Sequence, residues 1–190
     1  MAFVVVLDAC VLHPPSLRDL FVRIAQTDLV RARWTDRILD ECFRSVRERH
    51  PELDPARLER TRALMNGAVR DALVTGYEPL ERAMSLSDPE DRHVLAAAVK
   101  TGAQAIVTFN LRDFPPDALT PWDVAAKHPD EFVVDLLDID AERVLQVVRA
   151  QAAALRNPPR SVHELLEKLE RNGLPRATAE LREIMSLPDP

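Results

Sequence analysis

FVVVL at residues 3–7 is an unbroken apolar run rich in valine, and it ends at Asp8. Alternation would leave one face of a strand in water. A β-branched run without alternation predicts a strand covered on both faces, as in a parallel sheet between helices. AIVTF at 105–109 has the same character and ends at Asn110, with Asp113 shortly after. Segments of helical period lie between the two runs. SLRDLFVRIAQ predicts a helix with Ser16 as N-cap, and TDRILDECFRSVRERH predicts one that Pro51 stops. Asp54 and Pro55 open a third helix, ALVT at 72–75 reads as a short strand, and a helix is expected over about 89–101 with Gly102 closing it. This alternation points to an α/β fold, a three-layer α/β/α domain with a mostly parallel central sheet.

Beyond Phe114 the pattern changes. Proline turns come first, with Thr120 and Pro121 opening a short helix, and only helical spacings follow. Ser161 and Glu164 have capping-box spacing, Gly173 reads as a terminator, and NPPR at 157–160 reads as a connector. The expected division is an α/β domain over 1–138 and a helical C-terminal extension over 139–190. A chain of 190 residues is long enough for one well-cored domain with such an appendage.

Composition excludes several classes. No apolar run approaches the roughly 18 residues of a membrane span, and MAFVVVLDAC reads as a first strand with no secretory leader, so a cytoplasmic protein without membrane contact is expected. Cys10 and Cys42 have neither zinc spacing nor a disulfide framework and are expected to be free thiols. The net charge of −6 argues against a uniformly nucleic-acid-binding surface, but residues 31–70 hold ten arginines against seven acids. That stretch is either a basic face or a pair of solvated helices.

Ligands of parallel α/β sheets sit beyond the carboxyl ends of the strands, and the acids fall there. Asp8 ends the first run, Asn110 and Asp113 follow the second, and Asp91 opens the helix feeding it. Glu41 lies next to the apolar stripe of its own helix, where a carboxylate needs a partner. Each acid alone has an ordinary use: Asp8 and Asp88 as caps, Asp91 as a complement to the helix dipole. Together, Asp8, Glu41, Asp91 and Asp113 with Asn110 form an oxygen-rich set suited to Mg2+ or Mn2+, without the His and Cys of a zinc site. A bound cation would offset the mutual repulsion, which is about 4 kcal/mol for two charges 4 Å apart at an effective dielectric near 20.

VVLDACVL, ILDE, EDRHVLAAAVKTGAQAIVTFNLRDF and LTPWDVAAKHPDEF resemble, in order and spacing, the motifs of PIN-domain ribonucleases, in the branch with the VapC toxins of type II toxin-antitoxin systems. The resemblance implies a Mg2+- or Mn2+-dependent endoribonuclease acting on RNA, restrained by a cognate antitoxin and assembled as a homodimer. Carried over by motif, the catalytic set is Asp8, Glu41, Asp91 and Asp113, with Asp8, Asp91 and Asp113 as metal ligands. Asn110 and Thr108 fall near the site, and Asp88 is a cap or a support behind the ligands. Cys10 departs from the Asn or Ser common two residues after the first Asp. No histidine receives a catalytic role, and His93 is expected to point off the face that carries Asp91. Two other nuclease-fold readings are a housekeeping RNA-processing enzyme and a catalytically silent binding module. A haloacid-dehalogenase-type phosphatase would need a second Asp where Cys10 stands.

Overall fold

The computed structural model describes residues 3–156 and 158–186. The first residue of the expected 157–160 connector and the outer ends of both expected domains lie outside that range. Four strands form the sheet: β1 (Phe3–Leu7), β2 (Val30–Arg33), β3 (Ala105–Val107) and β4 (Ala125–Lys127). All pairings are parallel, in the order β2-β1-β3-β4, with Val5 beside both Ala32 and Ala105 and with Ala105 beside Ala125. Val5, Val6, Leu7 and all of β3 are buried, which is what the unbroken apolar runs require of a sheet covered on both sides.

Helices α1 (Ala9–Leu12) and α2 (Pro15–Ala25) connect β1 to β2, while α3 (Asp36–Arg49), α4 (Pro55–Ala68), α5 (Glu78–Glu81) and α6 (Arg92–Thr101) connect β2 to β3. Those crossovers run in opposite directions along the sheet, so the right-handed rule puts α2 and α6 on opposite faces. The fold is the expected three-layer α/β/α. Ala96, Ala97 and Ala98 are fully buried in α6, small enough to bring the helix close to β1 and β3. Gly102 ends α6 at φ +62, a left-handed conformation that glycine adopts without a Cβ penalty.

After β3 come the short α7 (Pro116–Leu119), a 3-10 turn at Thr120–Trp122, β4, and then three helices, α8 (Pro129–Ala154), α9 (Val162–Arg171) and α10 (Pro175–Ser186). α8 bends at Asp140 (φ −157, ψ 79), whose side chain restarts the helix by accepting from Arg143 N at 3.0 Å. The apolar stripe of α9, Leu165, Leu166 and Leu169, is buried, and the three helices pack on one another, with α8 and α9 also on α2. The Ser161–Glu164 capping box is formed.

Four local expectations fail for physical reasons. Ser16 is not the N-cap of α2: Pro15 takes the first helical position, where its missing N–H costs nothing, and Ser16 turns inward. ALVT makes an isolated bridge from Leu73 to Trp34 along the outer edge of β2, too short for a strand. The stretch after Phe114 is not purely turn and helix, because β4 adds three residues beside β3, too few to show a period. The strand expected over 105–109 stops at Val107, which frees Thr108 and Phe109 for the site.

Candidate active site

β1 and β3 are neighbours, and the chain leaves them toward opposite edges of the sheet, so their carboxyl ends bound the crevice where parallel sheets receive ligands. Asp8 sits there, 6% exposed. It caps α1, its Oδ1 accepting from Ala9 N at 2.7 Å, while Oδ2 accepts from the Thr108 hydroxyl at 2.7 Å and the Cys10 thiol at 3.2 Å. Phe109 N in turn donates to Cys10 Sγ at 3.3 Å. The thiol thus supplies a polar link in place of an amide or hydroxyl. Burial first, then the charge of Asp8, pushes its pKa up to about 12, so it keeps the proton that it donates.

Glu41 has the partners its position demanded. Its Oε1 lies 3.1 Å from His93 Nε2 and 3.4 Å from Arg37 Nε. Arg37 also reaches Glu81 and Glu90, tying α3 to the segment before α6. The expectation for His93 is therefore corrected: it is 1% exposed and points at Glu41. Its isolated helical period gave no sign of this, because the partner comes from another helix.

Asp91 closes the 3-10 turn Pro89–Asp91 just ahead of α6. Burial first, then the charges of Asp8, Asp113 and Asp88, raises its pKa to about 6. Asp88 is exposed and caps that turn, accepting from Glu90 N at 2.8 Å. Asn110 is exposed at the rim, its N–H donating to Thr108 Oγ1 at 3.0 Å and its carbonyl accepting from Asp113 N at 3.0 Å.

Asp8, Glu41, Asp91 and Asn110 line one open cleft of about 420 Å³, together with Cys10 and Phe109. Asp113 and Asp88 stand outside its lining and act on Asp91 through charge. Three other clefts are larger, about 540 Å³ between α3 and α4, about 690 Å³ beside the start of β2 and about 500 Å³ between residues 83–85 and α7. None gathers carboxylates from the strand ends, and chemistry outweighs volume here. Among the described residues, no three His, Cys, Asp or Glu side chains already converge as ligands of one ion. The Coulomb coupling felt by Asp91 reaches farther than a ligating distance, so the acids share a field without forming a closed cage. A concentration of carboxylates of this kind suits a hard divalent cation.

A family model described as PIN domain matches residues 4–112, more than half of the chain. The chain belongs to the PIN-domain family. A second family model, VapC50 C-terminal domain, matches residues 129–183, so this PIN domain carries a VapC-type C-terminal extension. The protein named "Putative ribonuclease VapC50" of Mycobacterium tuberculosis is 45% identical over 98 residues, which cover 52% of this chain and 57% of that protein. No solved structure gives a significant match. No helix among the described residues is long and apolar enough to cross a membrane.

Proposed function

We propose that this PIN-domain chain is a metal-dependent endoribonuclease, the VapC-like toxin of a toxin-antitoxin pair, hydrolysing RNA phosphodiesters with Mg2+ or Mn2+. The observation that carries the reading is the cleft at the ends of β1 and β3, where Asp91 lies in the combined field of Asp8 and Asp113. Asp8, Asp91 and Asp113 would hold the cation, with Glu41 acting directly or through water. When bound, such a cation makes water more acidic and offsets the charge that develops on the attacked phosphate.

The remaining work falls to side chains. The Thr108 hydroxyl and Ala9 N fix the carboxylate of Asp8, while Arg37 and His93 hold Glu41 toward the cleft. Asn110 offers an amide to the substrate at the rim. Arg37 and Arg62 are committed to carboxylates, which leaves the other arginines of 31–70 for phosphate contacts, and Arg49 lines the cleft itself. In this reading residues 1–138 carry the chemistry, residues 139–190 form the extension, and an antitoxin protein and a second copy of the chain are the partners.

The test is cleavage of structured RNA by purified protein in Mg2+ or Mn2+. Activity should vanish in EDTA and in Asp8→Asn or Asp91→Asn, and full activity in EDTA would overturn the metal mechanism. Growth arrest on expression, relieved by the product of an adjacent gene, supports the toxin role; RNA cleavage without arrest points to housekeeping processing. Metal and RNA binding without cleavage would identify a silent binding module.

A further inference from the structure

The turn between α9 and α10 touches both chain segments that bound the cleft. On one side Asn172 Nδ2 donates to Ser16 Oγ at 2.5 Å, and Gln151 Nε2 of α8 donates to the Ser16 carbonyl at 2.9 Å. Ser16 lies in the first turn of α2, shortly after the α1 segment that presents Cys10. On the other side Gly173 lies against Phe109, so closely that a Cβ there would stand 2.7 Å from Phe109 Cε1. Gly173 also has φ +97, which side chains rarely adopt. Phe109 also meets the His128 ring edge-on, at 5.0 Å between centroids.

Phe109 is therefore in contact with both the tail and the β4–α8 junction, and its backbone is hydrogen-bonded into the cleft. Its N–H donates to Cys10 Sγ, that thiol donates to Asp8, and the next residue is Asn110. The tail itself is firmly seated. Asp130, 5% exposed at the start of α8, caps α10 by accepting from Arg176 N at 3.1 Å and Ala177 N at 2.9 Å.

We propose that the α9–α10 turn is a clasp for the active site: Asn172 and Gly173 hold the segments after β1 and β3 in register, with Gly173 and Phe109 as positioning residues for Asp8 and Asn110. The extension is on this account part of the catalytic scaffold. The effect on turnover rests on the nuclease reading; the mechanical coupling of Phe109 to Cys10 does not. Side chains lost from register by about 1 Å can cost up to about 100-fold in rate, which sets the scale of the expected loss.

The experiment compares full-length wild type, Gly173→Ala, Phe109→Leu and the double variant, with Gly67→Ala as a control because nothing lies within 4 Å of a Cβ there. Two quantities are read. The first is the rate at which iodoacetamide modifies the Cys10 peptide, measured by mass spectrometry against the buried Cys42 peptide in the same sample. The second is kcat and KM on RNA in Mg2+. Gly173→Ala should raise the Cys10 rate about tenfold or more, leave Cys42 unchanged, and lower kcat by about 10- to 100-fold with KM within about twofold. The double variant should return both readings part of the way to wild type, because leucine is shorter than the ring it replaces. Wild-type Cys10 reactivity and kcat in folded Gly173→Ala would overturn the clasp. Should Gly173→Ala fail to fold, Phe109→Leu decides alone: unaltered Cys10 reactivity overturns the proposal and a faster rate supports it. A wild type silent on RNA whose Cys10 still responds to Gly173→Ala overturns the nuclease reading while supporting the clasp.

Discussion

The cleft and the C-terminal helices are held by opposite means. The C-terminal helices are held by favourable contacts: three buried leucines on α9, a formed capping box, and a buried Asp130 of α8 whose two oxygens cap the start of α10. In the cleft Asp91 is half-buried among other carboxylates, and burial first, then their charges, shows as a raised pKa. One region supplies stability and the other gives some of it up for chemistry. Substitutions in the two regions should therefore separate stability from activity.

The largest effect is expected from deletion of residues 141–190. It removes α9 and α10 and uncovers the apolar surface of α2 and early α8, so the product should aggregate or change its oligomeric state in size-exclusion chromatography. A soluble, monodisperse product with unaltered state would show that the domain needs nothing from the tail. Leu166→Ala comes next, with an expected loss of about 2–5 kcal/mol in denaturant unfolding. Leu64→Ala on the exposed side of α4 is its foil and should change stability by less than about 0.5 kcal/mol, since Leu64 is 64% exposed. Asp130→Ala leaves two backbone N–H groups of α10 without an acceptor and should cost about 1–3 kcal/mol.

The smallest effect has the opposite sign. Asp91 binds its proton more tightly in the folded than in the unfolded chain, so its favourable contribution is complete below about pH 4 and is lost as pH rises through about 6. At pH 7 in EDTA, Asp91→Asn escapes that penalty and should melt higher than wild type, by roughly 2–4 °C for a gain near 1 kcal/mol after solvent screening. The gap should close toward pH 4, and it should shrink or reverse on adding Mg2+, which stabilises only a fold that binds it. Equal or lower melting in EDTA would mean that the carboxylates do not burden one another. Burial leads the causes of the shift, so part of the gain should survive in an Asp113→Asn background.

The sheet core was legible because Val5, Val6, Leu7 and Ile106 are buried on both faces, a condition that leaves an unbroken apolar run. Caps at Asp54 and Ser161 were legible because capping is decided within four residues. β4 was not, since it depends on the edge of β3; Ser16 yields the helix start to Pro15 and turns inward toward Asn172, a partner far away in sequence. The same division runs through the site. Strand-end acids announced themselves by position, while His93 and Arg37 were hidden because their importance lies in reaching Glu41 from elsewhere in the fold. A glycine at 173 signalled a helix end; only packing reveals the ring of Phe109 against it.

The two borders of the sheet have a consequence for association. Open strand borders are templates on which another chain can continue the ladder. Outside β2, Trp34 N donates to the Ala72 carbonyl at 2.9 Å and Val74 N to the Trp34 carbonyl at 2.8 Å, so that border is partly taken. At the other border β4 is only three residues long and ends in Lys127, which is paired with Asp135. Short, charged and partly occupied borders discourage strand-by-strand growth, both as aggregation and as recruitment of a foreign strand. Helical surfaces are what this chain has left to offer another protein.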